Sequence, residues 1–168
     1  MANRKTLLIV RHGKSSRQYD NISDIDRHLK ERGIHEAYDM AGRIKSQHIT
    51  PEMLISSPAA RALHTAMIFA RGLDHPLDQV ELREIFYNGD EQDILDVIRQ
   101  TPGETSTVMI FGHNPTFTDL ANLFLSQELD NLPTNGIVCL EFDADQWSRI
   151  GKDNLSKEWV DYPKNKKK

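Results

Sequence analysis

Three short apolar runs, each stopped by a motif of chemically active residues, limit most strongly how this chain can fold. Leu7–Val10 stops at Arg11-His12-Gly13, Met53–Ser56 at Ser57-Pro58, and Thr107–Phe111 at Gly112-His113-Asn114-Pro115. Short runs rich in Leu, Ile, Val and Phe read as buried strands. Helical spacings separate them: Ile34, Ala37, Tyr38, Ala41 and Ile44, then Ala62, Leu63, Ala66, Met67, Ala70 and Leu73, then Ile94, Leu95 and Ile98, then Phe117, Leu120, Ala121 and Phe124. Strands alternating with helices predict an α/β fold, one three-layer domain with helices on both faces of a mostly parallel sheet. Ile137–Phe142 and Glu158–Tyr162 are further strands, and Val80–Phe86 is a weaker one because charges interrupt it. Ser57-Pro58 and Asn114-Pro115 each place a capping residue before a proline, as helix starts do.

A length of 168 residues suits one domain over residues 1–163, followed by a basic tail, 164–168, read as disordered. The net charge of −4 argues against nucleic-acid binding. The single cysteine, Cys139, lies in an apolar strand, reads as a buried inert thiol, and fits a reducing compartment. The N-terminal apolar run is too short for a signal peptide and no stretch approaches membrane-spanning length. A cytoplasmic protein without a membrane partner is expected, and the oligomeric state stays open.

In a parallel sheet the three motif-bearing strand ends lie on one side of the molecule, where α/β folds bind ligands. Arg11 and Arg61 offer planar forks for phosphate oxygens. His12 and His113 offer a nucleophile or base near neutral pH. Gly13 lets the backbone turn and approach a ligand. Two helix starts would add free N–H groups that favour anions. The combination suits a dianionic phosphoryl group. A metal between the two histidines is disfavoured, because Arg11 and Arg61 would repel a cation and no ligand spacing accompanies either histidine. No cofactor is expected.

Arg11-His12-Gly13, Ser57-Pro58-Ala59-Ala60-Arg61-Ala62 and Gly112-His113-Asn114-Pro115 together resemble the histidine phosphatase superfamily, which includes phosphoglycerate mutase. Val10–Ser16, Ser23–Arg27, Asp130–Thr134 and Asp161–Lys164 are similar to the small phosphohistidine phosphatases of the SixA type. The resemblance covers nearly the whole chain. Gly13 stands where many SixA-type sequences have alanine. The resemblance implies that His12 attacks phosphorus in line to form a phosphohistidine, with Arg11, Arg61 and His113 stabilising the phosphoryl oxygens. A hydrogen bond from the other ring nitrogen to a backbone carbonyl near Gly13 would hold the productive tautomer.

Glu84 stands where the superfamily often carries an acid. Its plain alternative is a solvated carboxylate paired with Arg83 or another cation. Asp24 and Asp26 are lesser candidates. Lys14 and Asn114 are placed at the rim as substrate-binding residues, beside the plainer roles of solvent exposure and helix capping. Ser57 reads as a cap only, Arg27 as a surface ion pair with Asp24 or Glu31 in preference to a residue reaching the pocket, and Trp147 and Trp159 as packing. The expected function is a phosphatase acting through His12 on protein phosphohistidine. A small-molecule phosphomonoesterase of the same superfamily is the alternative, and a non-catalytic phospho-ligand module is the alternative from another class. A mutase is disfavoured, since little length remains for a lid that excludes water.

Overall fold

The structure is a computed structural model describing residues 3–17 and 21–166; residues 18–20 of the expected polar loop and 167–168 of the tail lie outside these. In chain order the elements are β1 (Arg4–Arg11), α1 (Glu31–Ser46), β2 (Met53–Ser56), α2 (Ala60–Gly72), β3 (Glu81–Leu82), α3 (Ile85–Asn88), α4 (Glu91–Arg99), β4 (Thr107–Gly112), α5 (Thr116–Asn122), β5 (Ile137–Asp143) and β6 (Leu155–Asp161). The strands form one sheet in the order β3-β2-β4-β1-β5-β6. β3, β2, β4 and β1 run parallel, and β5 and β6 are added antiparallel on the far side of β1.

Side chains alternate across a strand, and β1 shows what that does here. Leu7 and Ile9 enter one core with Ile94 and Ile98 of α4 and Phe117 and Leu120 of α5. Leu8 and Val10 enter the other with Ala37, Met40 and Ile44 of α1 and Ala66 and Phe69 of α2. All four β1 side chains are fully buried, each worth roughly 1.5–3 kcal/mol. The three-layer architecture follows from a strand that is apolar on both faces.

Several local expectations change. Tyr38 is not on the buried face of α1; it is 44% exposed, and Met40 takes that place. Leu63 and Met67 of α2 are only half-buried, while Ile68 and Phe69 are fully buried. The run Val80–Phe86 is not one strand. β3 sits at the sheet edge and pairs only through Ile55↔Glu81 and Ser56↔Leu82; Phe86 reaches the core from α3 instead. Helix α2 begins at Ala60 with Ala59 at its cap, so Ser57 is not a helix cap.

Cys139 is buried in β5, and burial pushes its thiol up to about 12. Trp147 is fully buried, with its indole N–H on the Thr105 carbonyl at 2.6 Å. Trp159 packs against the α1/α2 core. Near the basic tail, the Arg43 guanidinium of α1 donates to Asp161 and to the carbonyls of Tyr162, Pro163 and Asn165. Among the described residues no helix is long and apolar enough to cross a membrane.

Candidate active site

Strand register brings the motifs together. Arg11, last in β1, pairs with Gly112, last in β4, and Ser56, last in β2, pairs with Phe111. His12 and His113 therefore leave neighbouring strands at the same level, and their ring centroids lie 5.2 Å apart. Ser57 leaves β2 beside them and meets His113 Nε2 through its Oγ at 2.8 Å. Gly112 is required at its position, because a Cβ there would lie 2.4 Å from the Phe117 ring.

His12 is almost fully buried. Its Nδ1 lies 2.7 Å from the Gly13 carbonyl oxygen, an acceptor only, so Nδ1 carries the proton and donates. That leaves Nε2 unprotonated, with no protein partner among the described residues. Burial, with further help from the nearby His113, Arg61 and Arg11, holds the ring's pKa down to about 3, so the imidazole is neutral and its Nε2 lone pair available at neutral pH.

His12 opens onto a cavity of about 300 Å³ whose walls include Arg11, Lys14, Arg17, Asp24, Arg27, Arg61, His113 and Asn114. Its charge is strongly positive, with five Lys and Arg side chains against one carboxylate. Arg61 is buried in the first turn of α2; its Nη1 donates to the Asp24 carbonyl at 2.7 Å and its Nη2 to Asp24 Oδ2 at 3.0 Å. Arg11 donates through Nη1 to the Leu132 carbonyl at 2.9 Å. Arg11 Nε, Arg61 Nε and His113 Nδ1 are buried with no partner. Unpaired buried polar atoms are uncommon in folded proteins. Burial and the neighbouring Arg61 bring His113 down to about 4, so it too is neutral at pH 7.

Comparisons with known proteins place the chain by family and by fold. Residues 7–105 match the histidine phosphatase superfamily (branch 1). The chain belongs to the histidine phosphatase superfamily. An uncharacterized Mycobacterium leprae protein is 29% identical over 153 residues, covering 84% of this chain and 91% of that protein. The protein histidine phosphatase SixA, solved with tungstate, has the same fold at a TM-score of 0.80 and 23% identity, covering 96% of this chain and 99% of that one. A mycobacterial glucosyl-3-phosphoglycerate phosphatase shares the fold at a TM-score of 0.60 and 12% identity, covering 95% and 98%.

The residues singled out from sequence divide into two groups. Arg11, His12, Arg61, His113, Lys14 and Asn114 all line the cavity. Gly13 does not line it; its amide donates to Thr65 Oγ1 at 3.0 Å, and a Cβ on it would meet Asn135 Nδ2 at 2.8 Å. Asn114 spends its polar atoms on the scaffold, accepting from Thr118 N–H and donating to Asn131 and the Leu132 carbonyl. Its oxygen thus occupies an amide of α5 that the sequence offered to an anion. Glu84 is exposed at the start of α3 and is not among the lining residues. Its expected partner Arg83 is paired with Glu81 instead, at 2.6 Å.

Four residues join the site without having been assigned to it. Arg27 does pair with Asp24, at 3.1 Å, yet its side chain is mostly buried, lines the cavity and donates to Ser15 Oγ at 3.0 Å. Arg17 lines the outer wall. Ser57 contacts His113, as described. Tyr87, on α3 one turn beyond Glu84, donates its hydroxyl to Asp24 Oδ2 at 2.8 Å and sets its ring edge-on to His113 at 5.5 Å. The Tyr87, Arg61 and Arg27 donors hold the Asp24 carboxyl well below the usual carboxylate range, and Asp24 in turn raises the Tyr87 phenol. The motif-adjacent Ser15 and Arg17 were within reach of sequence reasoning; Tyr87 carried no signal.

Proposed function

We propose that the protein is a phosphatase that hydrolyses phosphohistidine on proteins through a phosphorylated His12. The observation that carries this is the Nδ1–Gly13 hydrogen bond, which fixes one tautomer and leaves Nε2 as a lone pair in an arginine-lined cavity. Nε2 forms a bond to phosphorus as the substrate's P–N bond breaks in line with it. The phosphoryl oxygens carry their charge onto Arg11, Arg61 and His113, which line the same cavity as His12. Water then attacks phosphorus, inorganic phosphate departs, and His12 returns neutral with Nδ1 still protonated. Splitting one displacement into two lowers each barrier.

The carboxylate at the site supports this substrate class. Asp24, the carboxylate among the lining residues, is ionised and has no proton to give in the free enzyme. An imidazole leaving group asks less of a general acid than an alkoxide does. The SixA structure with tungstate, a tetrahedral oxyanion, supports a phosphoryl site on the same fold. A second reading, a small-molecule phosphomonoesterase, is supported by the cavity volume, which lies at the lower end of small-ligand pockets.

The test compares native protein and His12→Ala on a phosphohistidine-bearing protein, an aryl phosphate and an alkyl phosphate. The proposal expects kcat/KM to be highest on phosphohistidine, lowest on the alkyl ester, and lost in the variant. A preference for the alkyl ester would favour the second reading, and full activity in His12→Ala would remove the mechanism.

A further inference from the structure

We propose that Thr65 is a positioning residue for His12, an inference that rests on His12 being the nucleophile. Thr65 is fully buried in α2. Its hydroxyl donates to the Arg61 carbonyl at 2.7 Å, the i−4 bond a helical threonine commonly makes. The same oxygen also accepts the Gly13 amide at 3.0 Å, from a loop 52 residues away in sequence. One hydroxyl therefore joins the helical turn carrying Arg61 to the residue whose carbonyl holds His12.

The peptide between His12 and Gly13 is gripped at both ends. Thr65 takes its N–H, and the Asn135 amide donates to its carbonyl at 3.2 Å and to the Arg11 carbonyl at 3.0 Å. Asn135 adopts the left-handed region, φ 59°, and its side chain donates to the Gly33 carbonyl at 3.0 Å. Held this way, the peptide entering Gly13 is fixed in plane, and it sets the start of the link to the carbonyl on which His12 Nδ1 rests. Removing the Thr65 hydroxyl leaves a buried N–H without a partner. Gly13 then turns to find one and carries its carbonyl away from His12. The imidazole loses both its tautomer preference and its aim at phosphorus, and displacements near 1 Å cost about 100-fold in rate.

The test uses Thr65→Val, which keeps shape without the hydroxyl, and Thr65→Ser, which keeps the hydroxyl. Steady-state kinetics on an aryl phosphate are read together with ¹⁵N NMR of the His12 ring. The expected result for Thr65→Val is a kcat lower by about 10–100-fold, KM changed little, and a His12 spectrum shifted from the Nδ1–H form towards a mixture of tautomers. Thr65→Ser should recover most of kcat and the native spectrum. A scaffolding role alone would lower the denaturation midpoint and leave kcat and the tautomer as in the native protein, which would overturn the proposal, as would equal losses in both variants. If Thr65→Val does not fold, Thr65→Cys keeps the volume with a weaker acceptor, and the same outcomes are read from it. His12→Ala runs alongside. Activity surviving there removes the nucleophile itself, whereas its loss beside an unaffected Thr65→Val removes only the positioning role.

Discussion

Asp24→Asn should make the protein bind phosphate-like anions more tightly. In the free protein the Asp24 carboxylate sits on Arg61, the guanidinium proposed to take a phosphoryl oxygen. A dianionic substrate on the same guanidinium would place its charge roughly 4 Å from that carboxylate. Two unit charges at that distance repel by about 1 kcal/mol in water and about 4 kcal/mol at an effective dielectric of 20. The Asp24 side chain is 52% exposed, so the lower part of that range applies, about 1–2 kcal/mol, or roughly 5–30-fold in affinity. Asparagine keeps the shape and one acceptor oxygen for Tyr87 or Arg61, and it leaves Arg27 unneutralised, which acts in the same direction. The assay is competitive inhibition of aryl phosphate hydrolysis by tungstate and by inorganic phosphate, at low ionic strength and at 0.5 M salt. Both inhibition constants should fall, by less at high salt where the Debye length shrinks. Unchanged or weaker binding would refute the competition and make Asp24 an orienting partner for Arg61. A selective loss of kcat on alkyl phosphates, with binding unchanged, would make it the general acid.

Two further perturbations test the site from other directions. Arg61→Ala should lower kcat/KM by about 10²–10³-fold with little change in folding, the usual cost of removing one preorganised donor; retention within 10-fold would confine Arg61 to structure. Acid should destabilise the protein through the two histidines, whose folded pKa values of about 3 and about 4 lie below the ordinary 6.5. With folded values depressed, their contribution is fully present above pH 6.5 and is lost as pH falls towards 4 and 3, by at most about 1.4 kcal/mol per pH unit for each. Urea midpoints at pH 7, 6 and 5 should decline, and less steeply in His12→Ala; a flat profile would show that neither ring is held neutral.

The parallel half of the sheet was legible in the sequence because Leu7–Val10, Met53–Ser56 and Thr107–Phe111 are short, apolar and abruptly ended. Register then did the rest for His12 and His113, since strand ends at one level need no further information. The direction of β5 and β6 was not legible: an apolar run reads the same whichever way it pairs. Val80–Phe86 misled because an edge strand needs only two paired residues, and Phe86 could reach the core from a helix. Ser57 looked like a cap because a serine before proline usually is one, while its partner His113 lies 56 residues away. Tyr87 was illegible as a site residue, and Arg27 was not separable from a surface ion pair, for the same reason. Their place depends on where the turn around Asp24 settles, and that turn is held by the very side chains whose role was in question.

The isolation of Cys139 makes the protein unusually easy to instrument. It is the chain's single cysteine, it is sealed between β1 and β6, and its thiol is raised to about 12, so maleimide reagents meet a chemically silent background. A thiol introduced at exposed Lys14, on the cavity wall, would take a fluorophore alone. That dye could report the arrival and release of each anion in real time, without first replacing the native cysteine.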